Sequence, residues 1–215
     1  DVERSRGLGD VYKRQMQDHD LLEFRLAEVR TAMQSLPDDS LVYYEDAGFY
    51  TRSFAETVRA RLLPQIDVYG MNEDELQEYV GRSVNLLDQS DVIRALHEAQ
   101  MIIPARALVV HTRYWAIATG PDAGRHRAAL DSAVRVAATR YRIGDRLTER
   151  DVEETSDLPR HGGGQALVAA VEDALPDAVG VAAFSLDVAS PTTVGLGDTF
   201  VGGFLAGAVR SRETE

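Results

Sequence analysis

The sequence predicts an α/β fold with a mostly parallel sheet flanked by helices, because short apolar runs alternate with longer segments of helical periodicity. Apolar runs of strand length occur at residues 41–44, 66–69, 107–110 and 180–186. Residues 115–118 form a further run, which we expect to pair beside the third. No internal repeat or low-complexity segment interrupts this alternation.

Helices are expected between and around these strands. Leu22, Leu26, Val29 and Met33 recur at spacings of three and four, which predicts an amphipathic helix over residues 18–36. Further helices are predicted at residues 54–62, closed by Pro64, and at 72–79, 91–99, 129–141, 166–175 and 200–209. We expect a turn at Gly70, a flexible helix start at 162–164 and a connection over the charged, poorly periodic residues 142–160.

Composition limits the class of protein. The chain has 215 residues, of which 44% are hydrophobic, enough for one sizeable domain, and its apolar runs are too short to cross a bilayer. The lack of cysteine excludes disulfides and cysteine-ligated metals, and we expect a cytoplasmic location. The net charge of -12 disfavours binding to nucleic acid or to an anionic membrane.

Residues 1–15 precede the first methionine, Met16, and include the only lysine, Lys13. We interpret this segment as a non-native leader and residues 16–215 as the domain proper. A Gly-Leu-Gly-Asp sequence at residues 7–10 has no apolar strand before it and no apolar helix after it, so we assign it no function.

The sequence TVGLGDTF at residues 193–200 lies between a predicted strand and an apolar helix. The first N–H groups of a helix have no intrahelical partner and attract an anion, and glycines leave room for its approach. Asp198 at such a helix start is suited to take a proton from an attacking hydroxyl. A role for Asp198 as a helix cap fits the short pattern equally well.

Three acidic residues follow predicted strands: Glu45, Glu75 and Asp198. The carboxyl ends of parallel strands meet at one crevice, so these carboxylates are candidates to hold Mg²⁺, directly or through water, against a phosphate chain. That arrangement is typical of phosphoryl transfer. Glu73 and Asp74 in the same helix start are interpreted as complements of the helix dipole.

Three motifs in order resemble those of the ADP-dependent sugar kinases, the glucokinase and phosphofructokinase types of the ribokinase-like superfamily. They are VYGMNEDEL at residues 68–76, VHT at 110–112 and the glycine–x–glycine–aspartate motif at 195–198. A fourth family motif, histidine–x–glutamate, corresponds to YYE at residues 43–45, where Tyr43 replaces the histidine and Glu45 matches.

The resemblance implies a role for each matching residue. Asp198 would be the base that activates the sugar hydroxyl, and the N–H groups of Gly195, Leu196 and Gly197 would form the anion hole. Glu75 and Glu45 would act with Asp198 at the Mg²⁺ site. Asn72, His111 and Thr112 would lie near the nucleotide, although a histidine at a strand end also commonly serves only the local structure.

The implied reaction transfers the terminal phosphoryl of ADP to a hexose or hexose phosphate and releases AMP. Members of this family are about twice as long, so the chain resembles a ribokinase-like large domain whose N-terminal half and lid are missing. We therefore expect the isolated chain to be inactive. Two alternatives remain: an ATP-dependent sugar kinase of the same superfamily, and a non-catalytic regulator that binds nucleotide or sugar.

Overall fold

The computed structural model describes residues 19–48 and 52–212. Five strands form one sheet in chain order: β1 Tyr43–Glu45, β2 Val68–Asn72, β3 Ala107–His111, β4 Trp115–Thr119 and β5 Ala178–Ala182. The first three strands are parallel, and β4 is antiparallel to both of its neighbours. All strands except β4 therefore run in one direction, which confirms the predicted α/β fold and the pairing of residues 115–118 beside the third strand.

Helices cover both faces of the sheet. Their bounds are α1 His19–Gln34, α2 Arg52–Leu62, α3 Glu73–Val80, α4 Gln89–Ile102, α5 Arg127–Ile143, α6 Glu149–Ser156, α7 Gly162–Ala174 and α8 Leu196–Arg212. Short 3₁₀ turns occupy Leu63–Gln65 and Ala123–His126. Every predicted helix forms, with ends that shift by a few residues. The predicted leader lies outside the described residues.

Three local predictions were wrong. Gly70 is the central residue of strand β2, not a turn. Residues 142–160 contain helix α6, which a capping box between Thr148 and Asp151 starts. Strand β5 ends at Ala182, because residues beyond it turn to contact Pro159 and Tyr114 through their backbone. Periodicity alone misses a short polar helix such as α6, since such a helix has too few apolar residues to show a repeat.

The two faces of the sheet bury different helices. On one face, Tyr69 and Met71 of β2 pack in a large cluster with apolar residues of α1, α2, α3, α4 and α7. On the other face, Val68 and Val109 pack with α5 and α8. Alternate residues of each strand therefore belong to different cores.

Helices α5 and α8 pack very closely. A methyl group added at Gly207 would lie 2.6 Å from the Ser132 Cβ, and one added at Gly203 would lie 2.9 Å from the Ala133 Cα. Small residues on α8 therefore bring the helix axes together, and this contact fixes where the N-terminus of α8 meets the sheet.

The two edges of the sheet differ. Side chains occupy the outer backbone groups of β5: the Gly180 N–H donates to Glu172, and Arg127 and Arg160 donate to the carbonyls of Gly180 and Ala182. At the other edge, β1 pairs with β2 alone within the described part of the chain. The charged cover on β5 discourages pairing with a further strand. No described helix is long and apolar enough to cross a membrane.

Candidate functional site

The centre of the site is a contact between the ends of two strands that are not neighbours. Glu45 ends β1 and His111 ends β3, and the Nε2 atom of His111 donates to Glu45 Oε1 at 2.8 Å. A carboxylate can only accept, so this contact places the histidine proton on Nε2. Both side chains are largely buried, with 25% and 13% of their surfaces exposed. Strand β2 lies between them.

Gly70 of β2 makes this contact possible. It pairs in register with Glu45, and a methyl group added there would lie 2.2 Å from Glu45 Oε2 and 2.3 Å from the Tyr43 hydroxyl oxygen. A glycine inside a strand often marks such a close approach. The Glu45 side chain therefore crosses over the middle strand through space that any other residue would fill.

The start of helix α8 lies against the same two side chains. Gly195 adopts a φ of 74°, which favours glycine, and helix α8 begins at the next residue, Leu196. Phe200 stacks on the His111 ring with centroids 4.4 Å apart. A methyl group added at Gly197 would lie 3.9 Å from Glu45 Oε1. The structure therefore brings the predicted anion turn and Glu45 together.

Asp198 lies in the first turn of α8 and is exposed to solvent. A left-handed residue followed by a helical start makes consecutive N–H groups converge on a concave anion-binding surface. The carboxylate stands next to that surface and remains accessible to a substrate. This position suits a proton acceptor, as the sequence predicts. The cap position before α8 is taken by Gly195, so the structural alternative for Asp198, the third residue of the helix, is to complement the helix dipole.

Two buried oxygens in the site have no hydrogen-bond partner among the described residues: the Tyr43 hydroxyl and Glu45 Oε2. Both lie over Gly70, within 2.3 Å of the position that a methyl group added there would take. Burial, and then the Glu45 carboxylate, raise the pKa of Tyr43 well above its ordinary value, so Tyr43 stays neutral. The neutral hydroxyl and the carboxylate oxygen are therefore available to a bound group.

Asn72 and Glu75, predicted at the nucleotide and metal sites, form a capping box at the start of α3. Asn72 Oδ1 accepts from the N–H groups of Asp74 and Glu75, and Glu75 Oε2 accepts from the Asn72 N–H at 2.9 Å. These contacts satisfy the helix start. They give both residues a structural role in this conformation.

Glu73, which the sequence assigned only to the helix dipole, is partly buried in the first turn of α3. Burial and the neighbouring Asp74 carboxylate raise the pKa of Glu73, while Arg113 and His111 act in the opposite direction. Because two adjacent acidic residues at a helix start are common, the sequence carried no signal that separated Glu73 from Asp74.

Thr112 and Arg113 lie in the tight turn between β3 and β4. The Thr112 hydroxyl donates to the Trp115 carbonyl and accepts from the N–H groups of Tyr114 and Trp115. The Arg113 guanidinium lies 4.8 Å from the centre of the Tyr114 ring. Thr112 therefore stabilises the turn with its hydroxyl, and its predicted contact with nucleotide would have to compete with these bonds.

The three predicted carboxylates do not form a ready cage for a metal. Within residues 19–48 and 52–212, no group of three or more His, Asp or Glu side chains is placed to hold an ion. The unpartnered Glu45 Oε2 and the exposed Asp198 nevertheless fit Mg²⁺, which takes oxygen ligands and usually keeps several waters and phosphate oxygens.

Arg140 is a part of the site that the sequence did not indicate. Its guanidinium lies against Gly195 and donates through Nη1 to the Thr199 hydroxyl at 3.0 Å. Arg140 and Gly195 are far apart in the chain, and one arginine among many on a helix carries no distinguishing pattern. Only the packing of α5 on α8 brings them together.

A family model described as the ADP-specific phosphofructokinase/glucokinase conserved region matches residues 11–206. This match includes every motif on which the resemblance rests. No curated protein sequence matches the chain.

Several solved structures share the fold. A phosphofructokinase from Pyrococcus horikoshii OT3, crystallised with AMP, superposes with a TM-score of 0.74 at 19% identity over 90% of this chain and 48% of its own. An ADP-dependent kinase in complex with fructose-6-phosphate and ADPbetaS gives a TM-score of 0.70 at 16% identity, over 88% of this chain and 49% of its own. A last common ancestor of ADP-dependent phosphofructokinases from Methanosarcinales gives a TM-score of 0.69 at 17% identity, over 88% of this chain and 46% of its own. This chain spans about half the length of these structures.

Proposed function

Since this chain belongs to the ADP-specific phosphofructokinase/glucokinase family, we propose that the protein transfers the terminal phosphoryl of ADP to a hexose or hexose phosphate and releases AMP. The observation that carries the proposal is the glycine–aspartate start of α8, where a methyl group added at Gly197 would lie 3.9 Å from Glu45 Oε1 and 4.0 Å from His111 Cε1. Fructose 6-phosphate is the first acceptor to test, because one of the solved structures with a similar fold is a complex with it.

The chemistry follows from that arrangement. The sugar hydroxyl loses its proton to the Asp198 carboxylate, and its oxygen forms a bond to the terminal phosphorus. The bond between that phosphorus and the bridging oxygen breaks, and AMP leaves with the electron pair. The N–H groups at Gly195, Leu196 and Gly197 hold the negative charge of the transferred phosphoryl.

Mg²⁺ is the proposed cofactor, and bound to the phosphate oxygens it would neutralise part of their charge. Glu45 and Asp198 are the residues whose carboxylates fit this role best. Glu75 keeps the role that the family resemblance implies, and its carboxylate would have to serve the helix cap as well. His111 holds Glu45 in place by its hydrogen bond.

We also propose that the 215 residues are part of a longer enzyme and that the chain alone does not turn over. The chain covers 48% of the length of the structurally similar phosphofructokinase from Pyrococcus horikoshii OT3. Holding an acceptor in line and excluding water contributes about 7–11 kcal/mol to barrier lowering, and that requires a complete sugar pocket. A coupled assay for AMP and sugar phosphate on the isolated chain tests this, and robust turnover would contradict it. The lack of cysteine and the proposed substrates fit the cytoplasm.

The central experiment is Asp198→Asn in the protein at its full natural length. Loss of a catalytic base lowers kcat by about 10²- to 10⁴-fold, while ADP binding should persist. Asp20→Asn is the matched control, since Asp20 also lies exposed in the first turn of a helix. If Asp198 only complements the dipole of α8, both variants will lose a little stability and keep wild-type turnover.

One observation favours a non-catalytic regulator: Tyr43 stands where the family motif has histidine. The glycine–aspartate turn is also shared with ATP-dependent sugar kinases. Turnover and binding measured across a panel of ADP, ATP and AMP separate the three functions. Turnover with ADP supports the proposal, turnover with ATP alone supports the second kinase, and binding without turnover supports the regulator.

A further inference from the structure

Arg140 on helix α5 fixes the glycine turn through a relay of hydrogen bonds. Its Nη1 donates to the Thr199 hydroxyl at 3.0 Å, and that hydroxyl donates to the Gly195 carbonyl at 2.8 Å. The Thr199 N–H donates to the same carbonyl. The turn that precedes α8 is therefore attached at its first residue to a side chain from another helix.

The guanidinium itself lies directly against the turn. A methyl group added at Gly195 would lie 2.6 Å from Arg140 Nη1. The positive φ and the nearby guanidinium therefore both require glycine at this position. The backbone can approach Arg140 closely only because the side chain is absent.

The Arg140 guanidinium has hydrogen-bond partners on two sides. Nε and Nη2 donate to the Asp145 carboxylate, which is 77% exposed, whereas the arginine side chain is only 20% exposed. The exposed Asp145 carboxylate, which solvent also hydrates, offsets part of the arginine charge from the outer side, while Nη1 faces the turn. A largely buried positive charge thus stands beside the proposed anion-binding turn in a chain whose net charge is -12.

We propose that Arg140 is a positioning residue for the terminal phosphoryl of ADP. It holds the Gly195 turn in the conformation whose N–H groups converge, and it adds positive charge beside the place where that phosphoryl binds. Arg140 thereby favours a nucleoside diphosphate over a monophosphate. This inference rests on the proposed function, because it assumes that the terminal phosphoryl lies at the turn.

The test compares ADP and AMP binding to Arg140→Met, by calorimetry on the protein at its full natural length. Loss of a charged donor should weaken ADP binding about tenfold and AMP binding less than about threefold, because AMP lacks the terminal phosphoryl. Arg140→Lys keeps the positive charge but loses the planar set of guanidinium donors, so it should retain part of the ADP affinity.

Arg142→Met is the matched control. Arg142 lies on the same helix and also donates to a threonine hydroxyl, that of Thr155, but on the side of α6. It should keep the wild-type ratio of ADP to AMP affinity. Thermal unfolding of every variant shows whether it is folded, and Arg140→Lys keeps the inference testable if Arg140→Met does not fold.

Thr199→Val tests the relay. If Arg140 acts through Thr199, the effects of the two substitutions on ADP affinity will overlap, and the double variant will lose less than the product of the single losses. Equal loss of ADP and AMP affinity in Arg140→Met, or wild-type ADP affinity, overturns the inference. The proposed function survives that result as long as turnover depends on Asp198, and a wild-type protein that binds no ADP overturns both.

Discussion

Glu45 and Asp46 are adjacent carboxylates at the end of β1, and they point into opposite faces of the sheet. Asp46 is buried, with 3% of its surface exposed, and accepts from the Tyr69 hydroxyl, the Tyr79 hydroxyl and the Gly48 N–H. Glu45 accepts from His111 through one oxygen, and its other oxygen is buried without a partner among the described residues.

The comparison distinguishes a structural carboxylate from a functional one. Every donor around Asp46 belongs to the protein, so its charge is fully satisfied by the fold. Glu45 Oε2, beside the start of α8, has no hydrogen-bond partner within residues 19–48 and 52–212, and a buried oxygen left in that state costs stability unless a ligand supplies the contact. We therefore expect changes at Asp46 to alter folding and changes at Glu45 to alter ligand binding and turnover.

Gly70→Ala should produce the largest effect of these substitutions, a loss of turnover caused by the displacement of Glu45. The new methyl group would overlap Glu45 Oε2 and the Tyr43 hydroxyl, so Glu45 must move away from His111. Displacing a site residue by about 1 Å can cost about 100-fold in turnover. Steady-state kinetics on the protein at its full natural length measures the loss.

Gly202→Ala is the control for that substitution. Gly202 lies on α8, and a methyl group there would contact nothing within 4 Å. It should leave turnover unchanged and add about 0.5–1 kcal/mol of stability from helix propensity. If Gly70→Ala also keeps wild-type turnover, the contact between Glu45 and His111 does not matter for the reaction.

Asp46→Asn should lower the free energy of unfolding by about 1–3 kcal/mol, because an amide nitrogen cannot accept from the tyrosine hydroxyls. Glu45→Gln should change that free energy by less than about 1 kcal/mol, because glutamine keeps the size of the side chain and its carbonyl oxygen also accepts from His111. Urea denaturation of both variants measures the difference. Equal losses would mean that the two carboxylates are both structural.

A smaller effect is expected on the requirement for Mg²⁺. Glu45→Gln should raise the Mg²⁺ concentration for half-maximal rate by a few-fold, whereas Asp46→Asn should leave it unchanged. Glu75→Gln tests the role implied by the family resemblance. The substitution removes the charge but leaves the helix start intact, because glutamine at this position also completes a capping box. An unchanged requirement in Glu45→Gln and Glu75→Gln would remove both residues from the metal site.

The smallest effect concerns pH. Burial, and then the Asp46 carboxylate, raise the pKa of Tyr79 to about 12, above the value of about 10 for an unfolded tyrosine. The folded state therefore holds this proton more tightly, and the resulting stability is fully present below about pH 10 and lost as pH rises towards about 12. Tyr79→Phe should reduce the slope of stability against pH in this range. An identical slope would show that Tyr79 does not contribute.

Much of the fold was predictable because local patterns determine it. The apolar runs became strands at residues 43–45, 68–72 and 107–111, and each helical periodicity became a helix. The glycine turn before α8 was predictable for the same reason, since a positive φ and a helix start are properties of adjacent residues. Helix α6 was missed because a short polar helix depends on its cap and its neighbours.

The sequence by itself determined the alternating α/β pattern, the strand ends that carry Glu45 and His111, and the glycine–aspartate start of α8. Only the tertiary structure decided that Glu45 reaches His111 over Gly70, that Glu75 serves a helix cap, and that Arg140 supports Gly195. Local patterns report the conformation of neighbouring residues, whereas these contacts join distant ones. They depend on the order of the strands and on the close packing of α5 and α8, which no short stretch of sequence encodes.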